Sequence, residues 1–224
     1  MLMAAIACAL FAADIALHIV FIVRGKETPR CLTKALLMPL LAVSLLLLWS
    51  ALSTAPLPWL VLLGIIAGCA GDISLLDHHH RIGVPLGLVF FSAGHVLYLI
   101  QLLRLTPPPA WWLIAAVVAV YGAGAGVTYK KLYPHLPGLM RIPALLYMLL
   151  LCVLSAAAAI AAFTVFQAGA FVLWAGTLAF LLSDTVLAFE MFCGETAHSH
   201  LKVMIPYIAA QILISAGFML CLAF

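Results

Sequence analysis

Residues 170–192, AFVLWAGTLAFLLSDTVLAFEMF, decide how the rest of the chain is read. An apolar run of this length matches the roughly 20 residues that a helix needs to cross a ~30 Å hydrocarbon core. Asp184 stands inside the run, between a serine and a threonine. A charged side chain at bilayer depth costs several kcal/mol, so each such residue is a functional candidate by default.

Similar runs occur at 2–23, 32–52, 59–76, 83–103, 111–129, 142–163 and 201–223. Together they predict an all-α, polytopic integral membrane protein: a bundle of about eight transmembrane helices forming a single domain over 1–224. The composition agrees. Hydrophobic residues make up 67% of the chain and charged residues 8%, far too little charge for a water-soluble surface. Thr28-Pro29, Pro56-Leu57-Pro58, Pro107-Pro108-Pro109 and the stretch from Pro134 to Gly138 punctuate the runs. Trp49, Trp59, Trp111 and Trp112 lie near span ends, as an aromatic belt requires. The first run lacks a basic leader and a small-residue cleavage site, and reads as a retained helix. The six cysteines are scattered through apolar runs without C-x-x-C spacing, so neither a disulfide framework nor a thiolate metal site is indicated. The net charge of +3 gives no support for nucleic-acid binding.

Arg24, Lys26, Arg30, Lys34, Arg81, Lys130, Lys131, Arg141 and Lys202 fall on the side of the odd-to-even loops, against Arg104 alone on the other. By the positive-inside bias that side is cytoplasmic and both termini lie outside. Short loops suit a bacterial inner membrane, with the endoplasmic reticulum membrane as the alternative. The basic cluster forms a surface for lipid head groups.

Three carboxylates stand at depth, Asp14, Asp72 and Asp184, joined by His18, His95, Tyr98, Tyr147, Tyr207 and Gln211, with Lys34 opening the second span. Asp72, Asp184, Lys34, Tyr147 and Tyr207 belong to the cytoplasmic portions of their spans, so a polar cavity there is expected. Plainer readings exist for most of the set. Asp14 and His18 stand four apart and can satisfy each other on one helix face, His95 and Tyr98 can be a core pair, and Tyr207 and Gln211 can join helices. The triplet His78-His79-His80 sits in a short polar loop and reads as solvated. No H-E-x-x-H or comparable ligand spacing occurs, so no metal or other cofactor is signalled.

A weak internal echo links GDISLL at 71–76 with SDTVLA at 183–188, and KALLM at 34–38 with PALLYM at 143–148. The paired segments are four spans apart, which is compatible with two parallel four-helix halves.

The ordered set TKALLMP (33–39), AGDISLL (70–76), GLVFFSAGHVLY (87–98), Pro143 with Tyr147, FLLSDTVLA (180–188) and PYIAAQ (206–211) resembles the YhhN-like lysoplasmalogenase family of eight-span membrane proteins. Ala35 departs from the proline that commonly follows the lysine in that family. The resemblance implies hydrolysis of the vinyl ether bond of lysoplasmalogens, whose lysophospholipid substrates lie among the membrane lipids. Vinyl ethers hydrolyse by protonation of the β-carbon, giving an oxocarbenium ion that water captures. Such an enzyme needs one carboxylic acid still protonated near neutral pH, and a second, negative group to stabilise the cation. Asp72 and Asp184 are the expected catalytic pair. Lys34, His95, Tyr98, Tyr147, Tyr207 and Gln211 would bind or orient, and Asp14, His18 and Arg141 are secondary candidates, with Arg141 and Lys34 near enough to the spans to meet a phosphate. The competing classes are a small proton-coupled transporter and a lipid-binding membrane protein, either of which could use the same aspartates.

Overall fold

In hydrocarbon a backbone amide finds no water to bond, so a spanning segment must satisfy its own N–H and C=O groups, as a helix does. The computed structural model describes residues 1–77 and 82–223, and among these residues the chain forms helices and short connections with no strand. In order they are α1 (Leu2–Val23), α2 (Glu27–Leu52), α3 (Trp59–Ser74), α4 (Gly83–Leu105), α5 (Trp111–Leu132), α6 (Arg141–Val165), α7 (Ala168–Cys193) and α8 (Ser199–Ala223). Short 3-10 turns occupy Leu75–Asp77, Tyr133–His135 and Gly138–Met140. The His78–His80 triplet and Arg81 lie outside the described residues.

Seven of the helices are long and apolar enough to cross a membrane. The eighth, α3, has 16 residues, or about 24 Å of rise, and the 3-10 turn that follows adds about 6 Å. Expected and observed boundaries differ most at α2. It starts at Glu27, not at the apolar run, with Thr28 and Pro29 inside its first turn. Proline is tolerated there because the first-turn N–H groups have no intrahelical acceptor, and Glu27 pairs with Arg30 at 2.5 Å across the same turn. Gly25 ends α1 with φ of 61°, a left-handed conformation that costs a residue without Cβ little.

The distribution of side chains is that of a protein surrounded by lipid. Leu2, Val120, Leu139, Ile142 and Phe166 are exposed, whereas Asp14, Asp72, His18, His95, Gln211 and Ser155 are buried. Trp59, Trp111 and Trp112 are exposed at helix starts, where their amphipathic rings suit the membrane interface.

The chain groups into two compact units, chiefly Met1–Tyr98 and Leu99–Cys221, with the division inside α4. In the first, α2 packs against both α1 and α3. The Tyr98 ring fills a notch at Gly64, where an added Cβ would stand 2.3 Å from the ring. In the second, α6 packs against both α5 and α7. There α7 and α8 approach closely because Gly217 has no side chain: an added Cβ would lie 2.6 Å from the backbone of Leu173. Small residues allow such approaches in membrane helices, where packing replaces the hydrophobic drive.

Gly217→Ala is therefore expected to destabilise the protein by about 1–3 kcal/mol, since backbone must move to admit the methyl group. Gly126→Ala, on α5 with open space around it, is expected to be neutral or slightly stabilising through helix propensity. Thermal unfolding in detergent compares the two, and equal effects would contradict the close approach of α7 and α8.

Candidate functional site: two aspartates and their donors

Asp72 lies near the end of α3 and is buried. Its carboxylate faces the second helix of the same unit: Lys34 Nζ stands 3.6 Å from Asp72 Oδ1, and both side chains are largely withdrawn from the surface. Lys34 falls in the second turn of α2 because that helix begins at Glu27. One residue earlier, Thr33 donates to the carbonyls of Pro29 and Arg30 at 3.0 Å. His18 Nδ1 lies 2.8 Å from the Thr33 hydroxyl, so the His18 ring reaches across to α2. Asp14 was expected to share a face with His18. It is buried, and its Oδ2 has no hydrogen-bond partner among the described residues.

On α4, His95 Nδ1 is 2.6 Å from the Phe91 carbonyl. A carbonyl can only accept, so Nδ1 carries the hydrogen. The His95 and Tyr98 rings meet edge to face with centroids 6.3 Å apart, as their spacing of three suggested.

In the second unit, Asp184 is half-buried on α7 and receives a short hydrogen bond from the Tyr147 hydroxyl of α6 to its Oδ2. The preceding Ser183 donates to the Val203 carbonyl at 2.9 Å, fastening this turn of α7 to α8. Tyr207 and Gln211 are both buried on α8, and the Tyr207 ring packs against Phe180 with centroids 5.6 Å apart. Arg141, at the start of α6, folds over the Tyr133 ring at 4.4 Å. Its Nη1 donates to the Tyr133 hydroxyl at 3.2 Å.

The structure thus joins Asp72 with Lys34, and Asp184 with Tyr147. Each pair links the third helix of a unit's helix series to the second. Sequence reading missed a fourth withdrawn carboxylate, Glu190. It accepts from the Thr196 N–H at 2.5 Å and from the Thr196 hydroxyl, with Lys202 Nζ 4.0 Å away. Its place three residues from the end of an apolar helix makes it look like a boundary charge. The nearby Thr196 and Lys202 were the available signal that it clasps the α7–α8 connection.

The model of the YhhN family matches residues 29–218. Lysoplasmalogenase TMEM86B of Sus scrofa is 36% identical over 129 residues, which cover 58% of this chain and 51% of that protein. The chain thus matches about half the length of this curated relative. No solved structure matches the chain.

Removing one member of a largely withdrawn ion pair takes compensation away from the other charge, at a cost of about 1–3 kcal/mol. Lys34→Met is accordingly expected to destabilise more than the Lys34→Met/Asp72→Asn double variant. Thermal unfolding of the four proteins of the cycle measures the coupling, and additive effects would show that the two side chains do not interact.

Proposed function

We propose, on the premise that the chain belongs to the YhhN family, that it hydrolyses the vinyl ether bond of lysoplasmalogens within the membrane. The products are a fatty aldehyde and a glycerophospho-base. The relative named as a lysoplasmalogenase supports this reading. The observation that carries it is the presence of two aspartates on apolar helices with unlike partners, an ammonium paired by charge with Asp72 and a phenol hydrogen-bonded to Asp184.

Acid-catalysed cleavage of a vinyl ether requires two carboxyl functions in different states. One gives a proton to the β-carbon of the alkenyl chain, and the ether oxygen and adjacent carbon then share the positive charge of an oxocarbenium ion. The other, as carboxylate, stabilises that cation and takes a proton from the attacking water. In the collapse of the resulting hemiacetal the first carboxyl, now ionised, takes the hydroxyl proton while the second gives its proton to the departing alkoxide. Aldehyde and alcohol leave, both carboxyls return to their starting states and the net reaction consumes one water. In this reading Asp72 is the carboxylate, its negative charge balanced by Lys34. Asp184 is the proton donor, oriented through Oδ2 by Tyr147. His95, Tyr98, Tyr207 and Gln211 hold their helices and side chains in register. Lys34 has three N–H donors and can share them between Asp72 and a substrate phosphate. Arg141 supplies a second positive group at the same end of its helix. The charge bias of the loops supports a cytoplasmic position for that end, with both termini outside.

Asp72→Asn and Asp184→Asn are each expected to lower aldehyde release from an alkenyl lysophospholipid by about 100-fold or more, with Tyr147→Phe losing about tenfold. The assay is aldehyde formation by purified protein in detergent. Full release by both asparagine variants would sink the mechanism, and proton-coupled solute flux in liposomes without aldehyde would favour a transporter.

A further inference from the structure

Within the unit Leu99–Cys221, a groove of about 320 Å³ runs between α5, α6 and α7, lined by Tyr121, Gly124, Met148, Trp174 and Thr185 among others. We infer that this groove seats the hydrocarbon chain of the lysolipid, an inference that rests on the hydrolase reading above. Three observations converge on that occupant.

The first is where the groove begins. Thr185 and Met148 line one end, and they are the sequence neighbours of Asp184 and Tyr147, the hydrogen-bonded pair. In a vinyl ether the reacting carbons are the first two of the alkenyl chain. A chain whose head is presented to Asp184 must leave along a path that starts near it, and this groove is lined by the residue next to each member of the pair.

The second is where the groove ends. Trp174 Nε1 donates to the Tyr121 hydroxyl at 3.0 Å. That hydroxyl is 2.7 Å from Ser155 Oγ, and Thr177 donates to Ser155 at 3.1 Å. The network ties α5, α6 and α7 together around the end lined by Tyr121 and Trp174. Its polar groups are satisfied by one another, so a hydrocarbon pushed among them would break hydrogen bonds that lipid cannot replace.

The third is length. From Trp174 to Thr185 the helix rises about 16 Å, and an extended hydrocarbon advances roughly 1.3 Å per carbon. The groove therefore accommodates about a dozen carbons, a large part of a membrane lipid chain. Between its ends the lining is dominated by Val120, Ala125, Cys152, Leu178 and Leu181.

Gly124 supplies the test, because it lines the groove and a Cβ added there meets nothing within 4 Å. Gly124→Phe fills the space without forcing backbone apart. Gly122→Phe is the control: it has equally open surroundings and is not among the lining residues. The full chain in detergent is titrated with saturated 1-alkyl lysophospholipids of increasing chain length, which cannot be cleaved, by displacement of a spin-labelled analogue. Affinity, read at fixed detergent concentration, is expected to rise with chain length until about a dozen carbons are seated and then to level. Each methylene adds less than the roughly fourfold of transfer from water, because the detergent already shelters the chain. Gly124→Phe is expected to weaken binding of the long chains about tenfold and leave the shortest unchanged, while Gly122→Phe follows the wild type. An unchanged series for Gly124→Phe would overturn the inference. So would displacement of the probe by a diacyl phospholipid as readily as by the lysolipid, which marks a crevice for bulk lipid. Aldehyde release by the wild type is measured separately. Its absence overturns the hydrolase reading alone, because the binding series still decides whether the groove takes the chain.

Discussion

A carboxyl group carried into a lipid-surrounded bundle is stabilised by charges and hydrogen-bond donors inside the protein, because the solvent that would otherwise supply them is absent. The arrangement of both units follows from that requirement. Asp72 faces the ammonium of Lys34, and Asp184 receives the Tyr147 hydroxyl. Neither partner is local to the aspartate's own helix. Each comes from the adjacent helix, so α2 must pack on α3 and α6 on α7 with their polar turns in register.

That register is maintained by contacts that are themselves conditions of membrane packing. Tyr98 occupies the notch left by Gly64, which fixes the start of α3 against α4 within the first unit. In the second, Ser183 bonds to the Val203 carbonyl one residue before Asp184, and Gly217 lets α8 approach the backbone at Leu173. The Tyr121–Ser155–Thr177–Trp174 network ties α7 to α5 and α6 close to Leu173. Asp184 thus follows directly on a tied turn of α7, and Thr185 beside it lines an apolar groove. On the proposed hydrolase reading, such fastening would limit how far a bound chain slides, since acid catalysis needs the donor and the reacting carbon held in a near-attack geometry.

Much of this was legible in the residues. Length and hydropathy placed α1, α5 and α6 to within a few residues, because lipid leaves a spanning chain little alternative to a helix. Asp72 and Asp184 were conspicuous as charges in the wrong solvent. The echo of KALLM with PALLYM, and of GDISLL with SDTVLA, marked the segments that the structure pairs within each unit. Other features were not legible. The start of α2 was obscured by the polar stretch from Glu27 to Arg30, whose helix is held by an ion pair and a first-turn proline rather than by apolar periodicity. Thr33 as the partner of His18 depends on helix rotation, which sequence spacing does not convey. The groove between α5, α6 and α7 is a property of how the helices pack, which sequence spacing does not convey.

The chemistry proposed for this family member turns on delivery of a proton to carbon rather than to oxygen. The most direct measurement is hydrolysis of an alkenyl lysophospholipid by the purified protein in D2O, with the released aldehyde reduced at once and analysed by mass spectrometry. The account predicts a product carrying one deuterium on the carbon next to the former carbonyl. Aldehyde without that deuterium, or no aldehyde at all, would contradict it.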